Sequence, residues 1–164
     1  MGVSTDGILC YGFCLPEEEE ITWLRAENVE ADEESEDSEG EQMDFEDFVA
    51  KLEGLKEPDV PFNSGKVPKE WEKYWDKKSK LVKKVGIDLV THCSDEYPMY
   101  ILAISESVHN ASRGYPEKLG QKILANAGLP AYGIEGWRDK LKAFCERAGI
   151  EYKDPQWILC SMWS

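Results

Sequence analysis

An α+β domain carrying a long acidic insert is what this chain of 164 residues predicts. Three observations point there. Apolar runs of strand length alternate with stretches of helical spacing. Apolar residues make up 41% of the chain, enough to fill a core. The charge is concentrated in one segment. The length suits a single domain, read as residues 1–164.

Taken in order, Gly7-Ile8-Leu9-Cys10-Tyr11-Gly12-Phe13-Cys14-Leu15 is apolar on both alternations and stops at Pro16, which predicts a strand covered on both sides. Pro68 sits where a helix begins; Trp71, Tyr74, Trp75, Lys78, Leu81, Val82 and Val85 follow on one stripe, and Gly86 supplies the stop. Ile87–Cys93 and Met99–Ile104 read as two strands joined by a hairpin loop, Ser94-Asp95-Glu96-Tyr97-Pro98. A short helix is expected over Pro116–Asn126. A longer one is expected over Trp137–Ala148, with Trp137, Leu141, Phe144, Cys145 and Ala148 as its stripe, and Gln156–Trp163 reads as a terminal strand. The order β-α-β-β-α-β is that of ferredoxin-like sandwiches, with residues 7–15 and 99–104 as the central strands.

The formal charge is −14, yet residues 17–47 hold 16 acidic residues and one basic residue, leaving the remainder of the chain nearly neutral. The centre of this stretch, residues 27–42, has almost nothing to bury and repels itself, so it is expected to be disordered. Residues 44–55 differ: Phe45, Phe48, Val49, Leu52 and Leu55 recur at helical spacing, with acids in the first turn where the helix dipole favours them. So short a helix needs a surface, either its own domain or a partner. Lys56–Gly65 reads as an extended, proline-punctuated connector.

The five cysteines cannot pair completely, which fits a reducing compartment. Cys10 and Cys14 share one face of a strand but lie about 13 Å apart, too far to share an ion whose ligands sit ~2.3 Å from it. His92 and Cys93 point to opposite faces, and Cys145 and Cys160 stand alone at core-like positions. No metal or cofactor is expected, and the cysteines read as buried structural residues. A histidine beside carboxylates can do acid–base work, which makes His92, Asp95 and His109 the centre of an alternative reading as a small enzyme. The plainer reading is a pair of loop histidines in local hydrogen bonds, and no phosphate-loop, dinucleotide, zinc-protease or serine-hydrolase motif occurs. Arg113, just before a predicted helix, is a candidate anion or partner contact.

Tyr11, Phe13 and Tyr100 would lie on the open face of such a sheet, where aromatics stack bases in RNA-recognition folds. The net charge argues against nucleic acid. The lysines at 66–84 belong to the solvent side of their helix. No run is long and apolar enough for a membrane span, and the N-terminus lacks the pattern of a signal peptide.

Met1-Gly2-x-Ser4-Thr5-Asp6-Gly7-Ile8-Leu9-x-Tyr11-Gly12, His92-Cys93-Ser94-x-x-Tyr97-Pro98-Met99-Tyr100-Ile101-Leu102-Ala103, Ala111-Ser112-Arg113-Gly114-Tyr115 and Trp157-x-Leu159-Cys160-Ser161-x-Trp163 resemble small uncharacterised proteins of tailed bacteriophages and prophages. The resemblance covers both ends and the middle, but not the acidic insert. It implies expression in the bacterial host cytoplasm and an accessory protein that binds and inhibits a host factor, such as a defence component. It carries over no catalytic residue. The expectation is therefore a non-enzymatic protein whose Glu33, Glu34, Glu36, Asp37, Phe45, Phe48, Leu52 and Arg113 meet a host protein with a basic surface. A homodimer remains open, because the strands are apolar on both sides.

Overall fold

The computed structural model describes residues 5–16, 43–62, 67–94, 96–112, 115 and 134–163. Along the chain come β1 (Thr5–Cys14), α1 (Phe45–Leu52), α2 (Lys69–Val85), β2 (Ile87–Ser94), β3 (Pro98–Ile104), a 3-10 turn (Ser105–Ser107), β4 (His109–Ala111), α3 (Ile134–Ala148) and β5 (Gln156–Trp163). The helix expected over 116–126 and the centre of the acidic insert lie outside the described residues. The chain divides into two compact units. Met1–Glu18 with Gly86–Ser164 hold the sheet and α3, and Glu19–Val85 hold α1 and α2.

The fold is α+β with a mixed sheet of five strands in the order β3-β2-β5-β1-β4, and β3 also pairs with β1. The ladder thus returns to its start. β1 lies antiparallel to β5 from Thr5↔Trp163 to Gly12↔Gln156, and β2 lies antiparallel to β3 from Ile87↔Ile104 to Cys93↔Pro98. Two short seams close the ring: β1 with β3 at Gly12↔Ala103, Phe13↔Leu102 and Cys14↔Ile101, and β2 parallel to β5 at Cys93↔Met162 and Ser94↔Trp163. The expected ferredoxin-like sheet has four strands and open edges. The fifth strand and the β2–β5 seam depart from it, because paired backbone removes the exposed strand edge that an open sheet would leave.

β4 continues along the edge of β1 that β3 occupies, at Gly7↔Ala111, Ile8↔Asn110 and Leu9↔His109. Between the two registers, Cys10 and Tyr11 face the five residues Ile104–Val108, three more than a regular ladder holds. The 3-10 turn absorbs the excess. It also takes the ladder carbonyl away from the Tyr11 amide, and Ser107 replaces it. The buried Ser107 hydroxyl accepts from the Tyr11 N–H at 2.9 Å and donates to the Ile104 carbonyl at 2.6 Å.

Strand alternation gives the ring an inside and an outside. Ile8 and Cys10 of β1, Ile101 and Ala103 of β3 and Val90 of β2 pack together, joined by Ile158, Cys160 and Met162 of β5 and by Val108. Every ring strand contributes, so this cluster is the interior. The opposite faces carry Tyr11, Phe13 and Leu102, all buried. α3 covers them with Trp137, whose ring centroid is 5.6 Å from that of Tyr11 and 6.1 Å from that of Trp157. Leu141, Phe144 and Cys145 of α3 are buried as well. Gly12 marks the corner where β1 crosses to β3. A Cβ there would lie 2.8 Å from the Ala103 Cα and collide with the Leu102 carbonyl oxygen, the close backbone approach that only glycine allows.

Two substitutions test this corner. Ser107→Ala leaves the Tyr11 amide buried without a partner and is expected to lower unfolding free energy by about 1–3 kcal/mol. Gly12→Ala forces backbone apart and is expected to cost at least as much. Urea denaturation followed by tryptophan fluorescence checks both, and an unchanged midpoint in either contradicts the arrangement.

Candidate functional site

In the helical unit, α1 lies against α2. Phe45, Val49 and Ala50 of α1 and Tyr74 of α2 are buried, while Phe48 and Leu52 are half-buried. α1 ends in a turn that takes up the carbonyls of Val49, Ala50 and Lys51. With Gly54 at φ 75°, the Gly54 N–H donates to the Lys51 carbonyl and the Leu55 N–H to the Ala50 carbonyl, at 3.0 and 2.9 Å. Lys78 of α2 then fixes the acidic first turn of α1. Its ammonium donates to Asp47 at 2.5 Å and lies 3.9 Å from Asp44. Burial pulls the Lys78 pKa down, but the hydrogen bond to Asp47 and the charges of Asp47, Asp44 and Glu46 outweigh that and hold it above the ordinary lysine value. One lysine is thus drawn out of the solvated face, tying the edge of the acidic segment to the hairpin.

The connector after α1 folds back on α2. The Trp71 indole N–H donates to the Val60 carbonyl at 2.8 Å, and the Phe62 ring sits edge-on to Trp71 and Trp75 at 5.7 and 5.9 Å. This knot leaves apolar surface outside: Phe62 is 52% and Trp75 42% exposed, with Val60 beside them. Of the residues expected to meet a partner, Phe45 goes to the interior of the hairpin instead, because the buried side of α2 offers it a place in cis. Glu33, Glu34, Glu36, Asp37 and Arg113 lie outside the described residues.

The stacking platform expected for nucleic acid is not an open face. Tyr11, Phe13 and Tyr100 are all buried. Tyr11 packs between Trp137 and Trp157, and Phe13 meets the Tyr152 ring at 6.0 Å. The histidines are not brought together either. His109 sits opposite Leu9, while His92, paired with Met99, lies two residues beyond the row that joins Val90, Ile101 and Cys14. Five residues of β1 separate those positions, roughly 17 Å at 3.3 Å per residue. Asp95 lies outside the described residues. Among the described residues, no group of three or more His, Cys, Asp or Glu side chains is arranged to hold a metal ion, and no helix is long and apolar enough to cross a membrane.

Sequence reasoning misplaced three cysteines: Cys14 and Cys93 are exposed where buried residues were expected, and Cys160 packs in company. Cys93 adopts a left-handed backbone, φ 82°, which breaks the alternation of β2 and brings it beside Met162 instead of leaving it opposite His92. Cys160 does not stand alone, since it packs against the cluster that holds Ile8 and Cys10. All five thiols are unpaired.

No family model matches the chain, and no curated protein or solved structure matches it. The geometry defines an α+β protein with a closed apolar body and a charged, aromatic-edged hairpin.

His92 supplies a test of the body. Its Nε2 is buried without a hydrogen-bond partner among the described residues, and burial lowers its pKa below the ordinary value of 6.5. The unfolded chain then binds more protons than the folded one below that pH. Stability contributed by neutral His92 is complete above pH 6.5 and falls as the pH drops from there through the lower folded-state value. Urea midpoints between pH 7.5 and 5 are expected to decline less in His92→Gln than in the parent. Equal declines contradict a buried neutral imidazole.

Proposed function

We propose that this is a non-enzymatic binding protein that engages a basic protein surface through its acidic segment. The observation that carries the reading is the partition of charge: −15 lies within residues 17–47, while the remainder of the chain is nearly neutral. A core needs no such segment. The burial of Tyr11, Phe13 and Tyr100 and the separation of His92 from His109 support it further, because those side chains form neither an open stacking platform nor an acid–base pair. The carboxylates steer the encounter over a range set by screening. Phe62 and Trp75 then supply the apolar anchor that Phe45, buried in the hairpin, does not. The resemblance to phage proteins makes a bacterial host protein the natural partner and its inhibition the outcome, with the bacterial cytoplasm as the place.

Capture from a bacterial lysate at low and high salt, followed by association kinetics with the protein recovered, tests this. Removing residues 27–42 is expected to slow association about tenfold or more at low salt and to flatten its salt dependence. Trp75→Ala is expected to accelerate dissociation with little effect on association. Association that is unchanged by the deletion refutes the electrostatic part.

A further inference from the structure

Two sulfurs and an imidazole lie at the far end of the β2–β3 ladder. His92 and Met99 are paired residues there, so their side chains leave the same face with Cβ atoms about 4.5–5.5 Å apart. Cys93 follows His92 with a left-handed backbone, φ 82°, which breaks the alternation that would send its side chain to the other face. Its thiol lies 3.5 Å from the Met99 thioether. Cys93 and Met99 are exposed, whereas the His92 Nε2 is buried and has no hydrogen-bond partner among the described residues. A non-glycine residue held at positive φ is strained, and a buried ring nitrogen without a partner is costly. A bound ion would draw on both: the strained backbone delivers the thiol, and the nitrogen gains a partner.

We propose that the Cys93 Sγ, the Met99 Sδ and the His92 Nε2 bind copper(I). The donor set selects the ion. Thiolate and thioether sulfurs favour copper(I), and imidazole serves it as well. Zinc takes nitrogen, thiolate and carboxylate donors, usually four of them, while calcium and magnesium take oxygen. Met99 therefore decides the class of metal. Metal–sulfur bonds of about 2.3 Å at a trigonal angle set two sulfurs about 4 Å apart, so the exposed pair needs to open by only about half an ångström. On binding, the Cys93 thiol gives its proton to solvent and the thiolate neutralises the ion's single charge. His92 enters as the neutral imidazole, the form that burial favours. Cys14 faces Ile101, two residues along β3 from Met99, and is the nearest competing thiol by register.

Copper(I), supplied anaerobically as its bicinchoninate complex, is titrated against the full reduced chain, and transfer is read as loss of the chelate's visible absorbance. One equivalent is expected to transfer, and X-ray absorption at the copper edge is expected to show two sulfurs and one nitrogen. Cys93→Ser is expected to abolish transfer. Losing a donor costs at least what losing a ligand's supporting partner does, so Met99→Leu and His92→Gln are each expected to weaken binding by about tenfold or more. Met99→Leu also removes one sulfur from the copper shell, and His92→Gln removes the imidazole nitrogen. Cys14→Ser is expected to bind as the parent does. Circular dichroism confirms that each variant is folded, and Cys93→Gly, which suits the left-handed backbone, replaces Cys93→Ser if the latter is not. No transfer, transfer undiminished by the loss of Cys93 or Met99, or a copper shell of three sulfurs from adventitious thiols overturns the proposal. None of these outcomes bears on partner binding by the acidic segment.

Discussion

The Ser107 hydroxyl holds the sheet unit together at its least regular point. β3 and β4 run along one edge of β1 in registers three residues apart, so the main chain between them cannot hydrogen-bond to Cys10 and Tyr11 as a ladder would. A buried amide without a partner is expensive, and the Ser107 hydroxyl removes that penalty while tying the turn back to the Ile104 carbonyl. With the offset stabilised, β3 is free to meet both β2 and β1, and the ring closes. Gly12 permits the same crossing sterically. The interior cluster and the α3-covered outer aromatics both follow from that closure.

Closure also decides what the sheet is free to do. Ile8, Cys10, Val90, Ile101 and Ala103 fill the inner face of the sheet, and α3 takes the aromatic half of the outside. The hairpin of α1 and α2 carries the exposed Phe62 and Trp75, and the carboxylates begin at its edge with Asp44 and Asp47 held by Lys78. A segment of net charge −15 in an otherwise nearly neutral chain is the partition of charge proposed for a protein that recognises by electrostatics first and apolar contact second.

Much of the local structure was legible because it is written in periodicity. The run 7–15 became β1, the stripe from Trp71 to Val85 became α2, and Trp137–Ala148 lies within α3. Tyr11 and Phe13 do share a face, as alternation requires, but no local signal says that Trp137 from more than a hundred residues away will cover it. β4 was missed because His109-Asn110-Ala111 has neither apolar alternation nor length; it is a strand only because β1 offers it an edge. Cys93 was misplaced for a related reason. Alternation assumes extended backbone, and a φ of 82° at a non-glycine residue gives no warning in sequence. Phe45 was correctly placed on an apolar helical stripe, while its burial within the hairpin depended on how α1 met α2.

Amide hydrogen exchange on the intact chain addresses the closure most directly. If Ser107 seals the offset, the Tyr11 amide exchanges as slowly as those of Ile8, Cys10 and Phe13, through the same cooperative opening. A Tyr11 amide that exchanges orders of magnitude faster than its β1 neighbours would mean an open edge at that position, and the closed ring would have to be abandoned.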